Sequence, residues 1–135
     1  MTTRRSIVLD SWPVMAYLQG EPPVDRIIEI IADAHDRGDS LLISVVNAGE
    51  VWYSIAKRGG TDAADSAIGM MRSLGIEFIN VDWATTQIAS SYKALGGISY
   101  ADCFAAALAK QTKATLITGD QEFKQLEKEI TINWL

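Results

Sequence analysis

Five carboxylates occupy the positions at which this sequence can do chemistry. Asp10 closes the apolar run IVLD, Asp82 follows EFINV, and Asp120 ends LITGD. Glu50 lies four residues beyond Val46 in SVVNAGE, and Asp102 opens the apolar stretch YADCFAAALA. A carboxylate among such neighbours is costly unless it is paired or holds a metal. Hard cations such as Mg²⁺ and Mn²⁺ take oxygen ligands, and two of them can activate water and stabilise the leaving oxygen of a phosphodiester. Little else in the chain is reactive: it has one His, His35, and one Cys, Cys103, and neither a P-loop nor a GxGxxG run. Cys103 sits among alanines and reads as a small buried hydrophobe. His35 falls near a helix C-terminus, where a cation suits the dipole.

Each acid also has a purely structural explanation. Acids in a first helical turn satisfy free backbone N–H groups and oppose the macrodipole. Asn47 and Glu50 have the spacing of a capping box, Ser99 and Asp102 have a near relative of it, and Asp10, Asp82 and Asp120 all stand where N-caps would. The local pattern alone leaves both explanations open.

The elements that must position these groups follow from the apolar pattern. Ile7 to Leu9, Leu41 to Val46, Glu77 to Val81 and Thr115 to Thr118 predict buried strands, with a last edge strand at Thr131 to Trp134. Helices are predicted at Val24 to Arg37, Ala48 to Lys57, Asp62 to Leu74, Ala84 to Leu95 and Tyr100 to Lys110. In the first of these, Ile27, Ile28, Ile31, Ala32 and Ala34 fall at helical spacing. The pairs Gly59–Gly60 and Gly96–Gly97 read as helix stops. Strands separated by helices imply parallel pairing, hence an α/β fold: a three-layer α/β/α sandwich around a mainly parallel sheet. Its ligand site is expected beyond the carboxyl ends of the strands, which is where the acids gather.

With 135 residues, 48% of them hydrophobic, the chain is expected to fold as one domain, residues 1–135, without disulfides. No apolar run approaches a membrane span, and Arg4, Arg5 and the early Asp10 do not make a signal peptide, so the cytoplasm is the expected location. A net charge of −5 argues against a broad basic face for nucleic acid. Bound divalent cations would reverse that sign locally if the charge is concentrated at a metal site. Converging carboxylates without metal should also raise the pKa of at least one of them.

Read in order, IVLDSWPVMAYL, SVVNAGEVWYSIAK, ISYADCFAAALAK and ATLITGDQEF resemble the four signature segments of PIN-domain VapC toxins. The resemblance implies a Mg²⁺- or Mn²⁺-dependent endoribonuclease in which Asp10, Glu50, Asp102 and Asp120 form the metal site and Thr118 supports it. It implies RNA as substrate, a homodimer, and inhibition by a VapB-type antitoxin. It joins Asp102 to the other acids, although that residue follows a loop rather than a strand, and it leaves Asp82 as an N-cap. Trp12, Tyr17, Trp52 and Tyr53 suggest an apolar groove for the antitoxin. Two other classes place acids similarly: a metal-dependent phosphatase or receiver-like domain, and a catalytically inert partner-binding domain whose acids are all caps. Against the first stand Trp12, where a second acid of a DxD would be, and the lack of a lysine after TLIT.

Overall fold

The β-branched and leucine-rich runs pair into a sheet of five parallel strands, in a computed structural model that describes residues 5–135; from one edge to the other they run Ile76–Ile79, Ser40–Ser44, Ser6–Leu9, Thr115–Thr118, Thr131–Trp134. Arg4, one of the two arginines in the reading of the N-terminus, lies outside the described residues. In chain order the elements are β1 (Ser6–Leu9), α1 (Ser11–Gln19), α2 (Val24–Arg37), β2 (Ser40–Ser44), α3 (Val45–Gly59) and α4 (Thr61–Ser73). There follow β3 (Ile76–Ile79), α5 (Trp83–Ala94), α6 (Tyr100–Thr112), β4 (Thr115–Thr118), a 3₁₀ segment at Gln121–Leu126 and β5 (Thr131–Trp134).

Alternate residues of each strand face opposite layers, as the pleat requires. Val8, Leu42 and Leu116 pack with α5, α6 and Phe123 of the 3₁₀ segment. Leu9, Leu41, Ile43 and Ile117 pack with α1, α2, α3 and Met71 of α4. These two cores, one on each face of the sheet, make the expected three layers. Helix α6 is buried along Asp102–Ala109, and its run of alanines leaves no bulk to hold it away from the sheet and α5.

One helix was not anticipated and two local expectations are corrected. Residues 11–19 carry no clear helical pattern, yet form α1; Pro13 falls in the first turn, where a missing N–H costs no bond. Strand β2 ends at Ser44 rather than Val46, because the Ser44 hydroxyl accepts a bond from Val46 N and starts α3 three residues early. In α2 the buried stripe is Ile27, Ile30, Ile31 and Ala34, leaving Ile28 49% exposed and Ala32 exposed. Among the described residues no helix is long and apolar enough to cross a membrane.

Candidate active site

The chain leaves β1 for β2 and β3 on one side of the sheet, and returns to β4 and β5 on the other. The carboxyl ends of β1 and β4 therefore flank the point where strand order reverses, the usual crevice of an open parallel sheet. Asp10 stands immediately after β1, and Thr118 is the last residue of β4. The register that pairs Leu9 with Ile117 brings them together. Thr118 Oγ1 donates to Asp10 Oδ2 at 3.0 Å, and Asp120 N donates to that same hydroxyl oxygen at 3.0 Å. Asp10 and Thr118 are both fully buried.

Helices supply the remaining acids. Glu50 lies in the second turn of α3, and Asp102 in the first turn of α6, where its own N–H donates to the Ser99 hydroxyl at 3.2 Å. The Glu50 carboxylate is held at one oxygen only, since Ser11 Oγ and Asn47 Nδ2 both donate to Oε1 at 3.1 Å. Asp10, Glu50, Asp102 and Asp120 all line one cleft of about 430 Å³, together with Ser11, Trp12, Met15 and Ser99.

Glu122 lines the same cleft and was not singled out by the sequence. Its carboxylate and those of Asp102 and Asp120 each offer an oxygen within 4.8 Å of the others. Only the 3₁₀ turn, whose first N–H groups Asp120 caps through Glu122 N at 3.0 Å, folds it back beside Asp120. The acidic doublet of TGDQE was the signal available. Asp10 and Glu50 belong to the cleft without falling inside that tightest trio.

Two cap readings need correction and three hold, the Ser99 cap at Asp102 among them. Asn47 and Glu50 form no capping box, because Ser44 caps α3 and Asn47 sits inside it. Asp10 occupies the N-cap position of α1 but makes no side-chain cap bond. Asp82 does cap α5, its Oδ1 accepting from Thr85 N and Oγ1 at 2.9 Å, and these bonds hold its pKa below the usual value. It does not line the acidic cleft. Asp120 is both a cap and a member of the cleft.

Burial, then the charges of Asp102, Asp120 and Glu50, raise the pKa of Asp10 well above the ordinary carboxylate range, against the opposing Thr118 hydrogen bond. Asp102 is pushed up to about 7, first by burial and then by Asp120 and Glu50, with Ser99 opposing. Among the described residues no Lys or Arg forms a salt bridge to any acid of the cleft. Asp10 Oδ1 is buried and has no hydrogen-bond partner there. An all-oxygen donor set, an unpartnered buried carboxylate oxygen and uncompensated negative charge fit a hard divalent cation.

The other residues weighed in the sequence are structural or lie elsewhere. Burial raises the Cys103 thiol to about 11, which leaves it inert at neutral pH. The His35 Nε2 lies 2.7 Å from Leu74 O, tying α2 to the end of α4. Trp52 Nε1 donates to Asp65 across α3 and α4, Tyr53 is exposed, and Tyr17 lines a small apolar hollow rather than the acidic cleft. Trp12 does line the cleft, and its indole lies on Gly119 so closely that a Cβ there would stand 2.5 Å from the ring.

The PIN domain family profile matches residues 7–129. The chain belongs to the PIN domain family. Its fold is similar to VapBC2 from Rickettsia felis, solved with a promoter DNA fragment, at TM-score 0.74 and 18% identity over 95% of this chain and 97% of that one. Against VapC20 of Mycobacterium tuberculosis, described as a Sarcin-Ricin loop cleaving toxin, the TM-score is 0.72 at 17% identity, covering 88% and 93%. FitAcB from Neisseria gonorrhoeae gives 0.66 at 20%, covering 94% and 96%. No curated protein sequence matches the chain. The strand order of this PIN domain also differs from the 2-1-3-4-5 order of flavodoxin-like and receiver folds, which removes the receiver reading.

Proposed function

We propose that this PIN domain is a divalent-metal-dependent endoribonuclease, acting as the toxin of a VapBC-type pair. The observation that carries the reading is the buried, unpartnered Oδ1 of Asp10 among converging acids at the β1/β4 crevice. The named functions of the similar structures, toxin–antitoxin systems and a Sarcin-Ricin loop cleaving toxin, agree with it. Asp10, Glu50, Asp102 and Asp120 would hold Mg²⁺ or Mn²⁺, with Glu122 adjoining. When bound, such an ion supplies the positive charge that admits a phosphodiester to an acidic cleft and the Lewis acidity that makes water nucleophilic. Thr118 fixes the orientation of Asp10, Ser99 holds the N–H of Asp102, and the Trp12 indole forms an apolar wall beside the acids.

A VapB-type antitoxin and a homodimer complete the proposal. Exposed Ile28, Tyr53 and Met70 on α2, α3 and α4 supply apolar surface for such contacts, and co-purification with the product of a neighbouring gene tests the partner. The decisive assay for the activity is cleavage of RNA by the purified chain with Mn²⁺, with Mg²⁺ and with EDTA. Asp10→Asn keeps the volume, removes the charge and should abolish cleavage while the circular dichroism spectrum stays native. Undiminished cleavage by the folded variant would refute the assignment, and no cleavage or saturable Mn²⁺ effect in the wild type would favour an inert partner-binding domain.

A further inference from the structure

We infer that Asn47 is a positioning residue for the metal-binding carboxylates, fixing Glu50 on α3 to the start of α6 beside Asp102. The inference rests on the proposed metal site. Asn47 is fully buried, and its Nδ2 donates both to Glu50 Oε1 at 3.1 Å within α3 and to Ala101 O at 3.1 Å on α6. Ala101 directly precedes Asp102. One amide thus holds the Glu50 carboxylate and the backbone that carries Asp102.

The rest of its environment shows that stability alone does not account for an amide here. Ser44 already caps α3, so Asn47 has no capping task. Its Oδ1 is buried without a hydrogen-bond partner among the described residues, a cost that an apolar side chain of similar size would avoid. What the amide supplies is orientation. With Asn47 and Ser11 both bonded to Glu50 Oε1, the other oxygen, Oε2, is the one left to a cation. Asp10 is held the same way, with Thr118 on Oδ2 and Oδ1 unpartnered. Each carboxylate is gripped at one oxygen and presented by the other, which is the arrangement by which outer hydrogen bonds orient metal ligands.

The test is Mn²⁺ titration by calorimetry of the wild type, Asn47→Leu, Asn47→Ala, Glu50→Gln and the Asn47→Leu/Glu50→Gln pair, with folding checked by circular dichroism. Asn47→Leu keeps the branching at the γ carbon and adds no charge but is bulkier; Asn47→Ala removes the amide without added bulk should leucine not be accommodated. Either single change at Asn47 should weaken Mn²⁺ binding about 10- to 100-fold, the usual cost of losing an outer hydrogen bond to a metal ligand. In the Glu50→Gln background the Asn47→Leu change should cost little further affinity, because the residue acts through Glu50. A merely structural role would lower the melting temperature and leave Mn²⁺ affinity unchanged, and that result would overturn the inference alone. Absence of Mn²⁺ binding by the wild type would instead overturn the metal site and this inference with it.

Discussion

Asp102→Asn should make the metal-free protein more stable at pH 8 while making it a poorer metal binder. The wild-type carboxyl rises from its usual 3.8 to about 7, chiefly through burial and then through Asp120 and Glu50. Between those two values the folded state keeps a proton that the unfolded chain has released. Stability therefore falls as pH rises through this window, and above about pH 7 the penalty is fully in place. A rise of that size corresponds to roughly 4 kcal/mol. The cleft opens to water, so screening reduces the usable figure to about 2 kcal/mol. The Ser99 cap survives the substitution because its hydroxyl accepts from the Asp102 backbone N–H, which the change leaves in place.

Asp10 gains as well, since the Asp102 charge is the largest of the three repulsions acting on it. At roughly 3–5 °C per kcal/mol for a chain of this length, the variant in EDTA should melt about 6–10 °C above wild type at pH 8. At pH 4 the two should coincide. Adding Mn²⁺ should reverse the order at pH 8, because stabilisation by a ligand scales with its preference for the native state and the substituted amide carries no ligand charge. The assay is thermal unfolding across pH 4 to 8 with EDTA and with Mn²⁺. A variant that melts lower than wild type in EDTA, or a difference that does not vary with pH, would refute the account of this cluster.

Two further perturbations separate site from scaffold. Asp82→Asn should leave Mn²⁺ binding and RNA cleavage at wild-type levels while lowering the melting temperature modestly above the Asp82 pKa, because its depressed carboxyl stabilises the fold only when ionised; acid should erase the difference. A dead but stable variant would mean that the wrong acids were chosen. Gly119→Ala should destabilise by roughly 1–3 kcal/mol, the usual cost of overpacking, since the new methyl meets the Trp12 ring rather than a strained backbone. Thermal unfolding of Gly119→Ala with and without Trp12→Leu checks this, and a double variant no more stable than the single one would show that the indole is not the obstacle.

The strands and most helices were legible because their signals are local: IVL, LLI and TLIT are short apolar runs, and α2 has a strong stripe. Helix α1 was not, because SWPVMAYLQ is apolar on most sides and its proline disguises a first turn. Val45 and Val46 favour strand by type, yet the hydroxyl one residue earlier starts a helix. Which acids converge is a different kind of information. Asp82 and Asp120 both follow strands and both cap the next element, but only Asp120 lies beside β1, because β4 pairs with β1 and β3 does not. Strand order is a tertiary fact. Asp102 and Glu122 reach the cleft from a loop-to-helix start and a 3₁₀ turn, which no strand-end rule selects.

The same convergence resolves the objection that an acidic protein is a poor partner for RNA. Asp10, Glu21, Glu50, Asp102, Asp120 and Glu122 all line one cleft. Removing those six from the seventeen acids leaves eleven against twelve Lys and Arg, so the formal negative charge of the chain is concentrated at the cleft and the remainder is close to balance. Each cleft acid alone has a defensible structural role, and Asp120 fills one. Together they are an unneutralised cluster with a buried carboxylate oxygen that no protein group satisfies. Such a cluster disfavours the apoprotein and an anionic substrate alike, and one divalent cation relieves both. Under the proposed function, affinity for RNA would be coupled to cation occupancy of the cleft rather than to a basic surface, which is why composition alone points away from that function.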